Sequence, residues 1–151
     1  MIMIKAASTY LYVKAMDTSI DFYEKLFEMK VSSKNFDRWA QFNLEHGCLA
    51  LMNPAYDRRR MKEEENLLDV YSREYLEAYE NLKLSYGNNF VLNYYTDDLN
   101  AEYERIKELN IGKTSRIMHL NVAGPYYFFN VEDPDGNTIE ITGEYTPETS
   151  L

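Results

Sequence analysis

A chain of 151 residues, 45% of them apolar, can build one packed core or two small fused modules. Its formal charge of −9 argues against nucleic-acid binding, which needs a basic surface, and its single cysteine, Cys48, excludes an internal disulfide and fits a reducing cytoplasm. No apolar run reaches the ~18 residues of a membrane span, and Met1-Ile2-Met3-Ile4-Lys5 lacks the pattern of a secretory signal.

Residues 6–14 alternate as a strand, with Thr9, Leu11 and Val13 on one face and Ser8, Tyr10 and Tyr12 on the other. Asp17 or Thr18 then caps a helix to about Met29, with Ile20, Tyr23, Leu26 and Phe27 on its apolar stripe. A hairpin follows. Ala40, Phe42 and Leu44 alternate with Trp39, Gln41 and Asn43; a turn at Glu45-His46-Gly47 leads to Leu49 and Leu51, alternating with Cys48, Ala50 and Met52. Residues 53–88 interrupt the strand pattern. Asn53-Pro54 starts a loop, Arg58-Arg59-Arg60 and Glu63-Glu64-Glu65 read as a solvated helix face or a local ion-pair network in preference to an arginine cluster for an anionic ligand, and Leu67, Leu68, Tyr71, Tyr75, Leu76 and Tyr79 recur at helical spacing in one helix with a break.

From residue 89 the first pattern returns. Phe90, Leu92 and Tyr94 alternate with Val91, Asn93 and Tyr95, and Thr96-Asp97-Asp98 caps a helix from Leu99 to Leu109 that buries Tyr103, Ile106 and Leu109. Asn110-Ile111-Gly112 ends it, and strands follow near 114–121, 126–132 and 137–142. The order strand–helix–strand–strand–strand thus occurs twice. The expected division is one domain made of a module over 1–53, a helical linker over 54–88 and a second module over 89–145.

The final hairpin turns at Asp133-Pro134-Asp135-Gly136-Asn137, where Pro134 presets φ, Gly136 permits positive φ, and the Asp and Asn side chains bond local backbone. Ile139 and Ile141 then share one face while Thr138, Glu140 and Thr142 share the other. This turn with Ile139-Glu140-Ile141, together with residues 12–27, which look like the family's first strand followed by the helix carrying the Phe22-Tyr23 pair, resembles the vicinal oxygen chelate superfamily: glyoxalases, extradiol dioxygenases, and fosfomycin- and bleomycin-resistance proteins. The resemblance implies an α+β fold of two βαβββ modules forming a curled mixed sheet, a cup lined by the faces opposite the helices, and a homodimer.

In metal-dependent relatives, equivalent strands of the modules supply His, Gln and Glu ligands to a divalent ion. The resemblance puts those positions at Ser8, Ala50, Val91 and Glu140, of which only Glu140 carries a ligand-type side chain. His46, in a hairpin turn, and His119, in a strand, read as surface or interface groups. The expectation is therefore no metal and no other cofactor. The inward set is Ser8, Tyr10, Tyr12, Trp39, Gln41, Asn43, Cys48, Met52, Val91, Asn93, Tyr95, Thr138, Glu140 and Thr142. Aromatic walls, a few amides and one acid suit a small aromatic or cationic organic molecule, with Glu140 meeting its charge. The simpler account gives the tyrosines to packing or a dimer seam and leaves Glu140 bonded to tyrosine hydroxyls. Two enzyme readings stand beside simple binding. One is a divalent-metal-dependent glyoxalase-type lyase or isomerase, or a dioxygenase, with an atypical site and Glu140 as ligand or base. The other is a metal-free enzyme pairing Glu140 as base with a tyrosine acid. Cys48 reads as a buried apolar group rather than a nucleophile.

Overall fold

The computed structural model describes residues 4–87, 90–121 and 123–147. Its elements run β1 (Thr9–Tyr12), α1 (Met16–Phe27), β2 (Ser33–Asn35), β3 (Trp39–Leu44), β4 (Gly47–Met52), α2 (Pro54–Glu63), α3 (Leu67–Val70), α4 (Arg73–Glu80), β5 (Val91–Thr96), α5 (Leu99–Leu109), β6 (Met118–Asn121), β7 (Pro125–Glu132) and β8 (Thr138–Gly143). The chain is α+β, with two βαβββ modules. Each makes a four-stranded mixed sheet of the same order, β1-β4-β3-β2 and β5-β8-β7-β6. In both, the first strand runs parallel to the last and the other pairs are antiparallel.

The chain divides into two compact units, one of residues through Ile20 with Lys30–Ser85, the other of Asp21–Met29 with everything from Tyr86 onward. Helix α1 is therefore shared, its second half belonging with the β5–β8 sheet, and the helices α2 to α4 group with the first sheet.

In the first unit, Leu11, Ala40, Phe42, Leu49 and Leu51 form the buried face. Ala50 and Met52, on the opposite face of β4, are buried as well, so this central strand is covered on both sides and reads as a continuous apolar run. The stretch after β4 differs from one helix with a break. Asn53 caps α2, its side chain accepting from Ala55 N at 3.1 Å with Pro54 in the first turn, where a missing N–H costs nothing. Helix α2 stops at the glutamate run, whose charges oppose the negative end of the helix dipole, and Ser72 starts α4 by accepting from Tyr75 N at 3.1 Å.

In the second unit Leu92, Phe129, Val131, Ile139 and Ile141 face Leu99 and Ile106 of α5, and Phe22, Tyr23 and Leu26 of α1 complete the buried set. Helix α1 ends with Met29 N donating to Glu24 O at 3.2 Å and Glu28 at φ 53, the left-handed closure usually given to glycine. Arg105 of α5 donates to the terminal carbonyls of Lys25 at 2.9 Å and Leu26 at 2.7 Å, placing a cation at the helix's negative end.

Several expected details shift. Strand β1 begins at Thr9, which leaves Ser8 outside it and exposed. Strand β2 supplies a third strand after α1 that the alternation did not place, because its three residues are polar and exposed. Gly47 begins β4 without positive φ, so Glu45 and His46 make the turn. Leu109 is exposed as the last residue of α5, before Asn110 turns left-handed, and Tyr103 is only half-buried. Strand β6 begins at Met118, preceded by a single bridge from Thr114 to Val131.

Candidate functional site

The two sequence motifs that mark the chain, 110 positions apart, meet at one buried carboxylate. Asp133 Oδ1 accepts from the backbone N of Asp135 at 2.9 Å and of Asn137 at 2.8 Å, and Oδ2 accepts from Asn137 Nδ2 at 2.8 Å and the Tyr23 hydroxyl at 2.6 Å. Gly136 takes φ 85, so the turn forms as its residues dictate. Burial, then the Asp133 charge and hydrogen bond, push the Tyr23 phenol far above its ordinary range, which keeps it a donor. This carboxylate is fully engaged at the turn that leads into β8, and Glu140 stands on β8 on the face opposite buried Ile139 and Ile141.

On that face Asn93 on β5, Glu140 on β8 and Asn130 on β7 form one row across the sheet. Glu140 Oε2 accepts from the Tyr126 hydroxyl at 2.7 Å and from Asn93 Nδ2, and Asn93 Nδ2 also reaches Tyr126 Oη at 3.2 Å. The carboxylate is thus fixed in one orientation by its inner oxygen. Among the described residues no hydrogen bond reaches Glu140 Oε1, and the buried Oδ1 of Asn130, the neighbour in the row, also lacks a partner. Around this row stand Val91 (54% exposed) and Tyr95 (63% exposed), with half-buried Phe128 aligned with Thr142. Tyr126 and Asn130 were missing from the expected inward set. The alternation of β7 could have found them, since buried Phe129 and Val131 force 126, 128 and 130 to the opposite face.

On the first sheet, Tyr12, Met52 and Trp39 form one row and Tyr10, Ala50 and Gln41 the next, with Asn43 beside Cys48. Tyr10 meets Tyr12 edge-on at 5.9 Å and Trp39 at 5.1 Å. Trp39 Nε1 donates to Gln41 Oε1 at 3.1 Å, and Gln41 Nε2 to Asn43 Oδ1 at 2.9 Å. These amides are largely occupied with one another. Tyr10 remains 48% exposed, and burial, then Tyr10, raise the Tyr12 phenol. Burial likewise raises the half-buried Cys48 thiol, which disfavours the thiolate a nucleophile would need.

Among the described residues, no three His, Cys, Asp or Glu side chains converge as a metal site would require. His46 is exposed beside Glu45, and His119 is exposed and stacked on Tyr127 at 4.4 Å. No helix among the described residues is long and apolar enough to cross a membrane.

Two modules with the same strand order define a glyoxalase-like fold. The chain belongs to the Glyoxalase/Bleomycin resistance protein/Dioxygenase superfamily, whose family model matches residues 5–141. Among solved structures it is similar to a lactoylglutathione lyase from Agrobacterium tumefaciens (18% identity, TM-score 0.62, covering 94% of this chain and 96% of that one). It is also similar to a virulence protein from Salmonella typhimurium (20% identity, TM-score 0.60, covering 97% and 100%) and to a glyoxalase/bleomycin resistance protein from Albidiferax ferrireducens (15% identity, TM-score 0.62, covering 92% and 98%). At these identities the likeness shows the fold alone. No curated protein matches the chain.

Proposed function

We propose that the chain binds a small organic cation with an aromatic or apolar body on the open face of the β5–β8 sheet, with Glu140 as its anchor and without a metal. One observation carries this reading: a carboxylate pinned through Oε2 by Tyr126 and Asn93 while no hydrogen bond among the described residues reaches Oε1. A carboxylate held in place by its own neighbours through one oxygen suits a cationic group that carries N–H donors or a diffuse positive charge. Val91, Tyr95 and Phe128 supply apolar surface and ring faces for the body of the ligand. Tyr10, Tyr12 and Trp39, with Gln41, Asn43 and Met52, offer a second aromatic surface of the same chemistry on the first sheet.

Donor chemistry supports the metal-free part. Of Ser8, Ala50, Val91 and Glu140, three cannot hold a divalent ion through their side chains unless serine loses its proton, and one carboxylate alone does not compete with water. A homodimer belongs to the same proposal, since Phe90, Met118 and Leu120 present further apolar surface in the second unit; sedimentation tests it.

Calorimetric titration with benzyltrimethylammonium, against benzoate as the anionic counterpart, tests the site. The cation should bind and Glu140→Gln should weaken it about tenfold or more. Equal binding of benzoate, or equal binding by the variant, would overturn the reading. So would one tightly held Ni, Zn, Fe or Mn per chain in protein purified without chelators, lost on Glu140→Gln.

A further inference from the structure

We infer that the chain carries a second ligand site, for a small aromatic carboxylate, in the cavity formed by the β2–β3 turn and helices α2 to α4. It has a volume of about 520 Å³ and is walled by Phe36, Arg38, Tyr56, Arg60, Tyr71 and Tyr75. That is the size range of pockets that enclose small organic molecules. All its walls belong to the first unit and none to the Glu140 row.

The wall is built on a buried charge that is already satisfied. Asp57, fully buried, accepts from Arg38 Nε at 3.0 and 3.2 Å, from the Tyr71 hydroxyl at 2.8 Å and from the Tyr75 hydroxyl at 2.7 Å. Burial raises its carboxyl, but the hydrogen bonds from Arg38, Tyr75 and Tyr71 and the Arg38 charge outweigh that and hold it below the ordinary range. Asp57 and Arg38 therefore cancel, and the cavity keeps the charge of Arg60.

Arg60 is only loosely engaged. Its Nη1 donates to Tyr56 Oη at 3.3 Å and its Nε lies 3.6 Å from Glu64 Oε2, so neither contact is a paired fork. Among the described residues no hydrogen bond uses Arg60 Nη2 or Arg38 Nη1, which leaves guanidinium N–H groups for a carboxylate. Glu63 and Glu64 do not line this cavity; with Arg59 they wall an adjoining hollow of about 310 Å³ that shares Tyr56 and Arg60 with it, so Arg60 stands between the two.

Phe36 argues for an aromatic body. It is 78% exposed, and its ring lies 18° from parallel to Tyr56 with centroids 6.2 Å apart at the cavity mouth. The hairpin turn, closed by Arg38 N donating to Asn35 O at 3.1 Å, holds Phe36 at φ 52, where glycine, asparagine or aspartate is the easy choice. A bulky ring held exposed in a strained position serves the fold poorly and a ligand's ring face well. Asn53 fixes the turn from α2, donating to Asp37 O at 3.0 Å and Asp37 Oδ2 at 3.1 Å.

The test titrates the full chain with 2-naphthoate, inorganic phosphate and (2-naphthylmethyl)trimethylammonium. Naphthoate should bind at submillimolar concentration, with phosphate and the cation weaker by about tenfold or more. Arg60→Gln should weaken naphthoate about tenfold, while Arg59→Gln and Glu140→Gln leave it unchanged. Phe36→Gly should weaken it severalfold without lowering Tm, because glycine relieves the turn. Failure of naphthoate to bind, phosphate binding as tightly, or wild-type affinity in Arg60→Gln and Phe36→Gly would overturn the assignment. A fall in Tm on Phe36→Gly would do so too, by showing the ring to be structural.

Discussion

Replacing Tyr23 by phenylalanine removes one oxygen and leaves the ring in place against Phe22 and Phe27, at centroid distances of 4.9 and 5.7 Å. What is lost is the 2.6 Å bond to Asp133 Oδ2. A hydrogen bond to a charged group contributes about 1.5–3 kcal/mol. The cost stays within that range because Oδ2 keeps Asn137 Nδ2 and Oδ1 keeps two backbone donors, so the carboxylate is weakened rather than orphaned. For a chain of this length each kcal/mol moves Tm by about 2–4 °C, which places the expected fall at about 3–12 °C. Urea titration should show a lower midpoint with an unchanged slope, since no additional surface is exposed. Tyr94→Phe is the matched control. Tyr94 packs edge-on to Phe27 at 5.2 Å, and burial pushes its phenol up to about 12, but no hydrogen bond from its hydroxyl is formed among the described residues. It should change stability by under about 0.5 kcal/mol. Equal effects from the two substitutions would refute the role given to the Tyr23–Asp133 bond.

Asp57→Asn should lower stability at neutral pH by about 2–3 kcal/mol, below the full cost of breaking a buried pair because Arg38 is partly in water. Because the Asp57 pKa is lowered on folding, its contribution is complete above the ordinary carboxylate value of about 3.9 and lost as pH falls through the lower folded value. The wild type should therefore lose more stability than the variant between pH 5 and acid, in ~2-unit steps followed by urea midpoints. Gly143→Ala should destabilise by about 2–3 kcal/mol in thermal melts, because an added Cβ would stand 1.9 Å from Thr96 O across the β5–β8 pair. Glu28→Gly should raise stability by about 0.5–1 kcal/mol, since glycine takes φ 53 without strain and the ion pair given up, at 3.9 Å, is exposed on the Glu28 side.

Alternation and turn chemistry made the second unit largely legible. Asp133-Pro134-Asp135-Gly136-Asn137 could form little else, Leu99–Leu109 was bounded by its caps, and Glu140 had to face away from Ile139 and Ile141. The neighbours of Glu140 were legible too, but only to a reader who carried the same parity into β7, where Tyr126 and Asn130 stand. Other features were not readable because they depend on long-range contact. Nothing local distinguishes Asp57 from the charged residues that follow it; its burial comes from Arg38, Tyr71 and Tyr75, 14 to 19 positions away. Strand β2 escaped for the opposite reason, as three polar residues paired along one edge carry no periodic signal.

The residues that reveal the family lie in α1 and in the turn between β7 and β8, while Glu140 lies on β8 itself. Tyr23 and Asp133 lock α1 to the final turn, a task of packing that any member with this architecture must solve. Glu140 and its row occupy the alternate positions, where a side chain can change without disturbing the core beneath. On β8 a single residue separates Glu140 from the core positions Ile139 and Ile141, so a strong match in the packing residues constrains the opposite face hardly at all. Ser8, Ala50 and Val91 are consistent with that freedom, being small or apolar at places where the resemblance implies ligands. The function of this chain therefore turns on what stands beside Glu140, namely a carboxylate oxygen without a partner among the described residues and exposed ring and aliphatic surface, rather than on the reactions of proteins that share its turn.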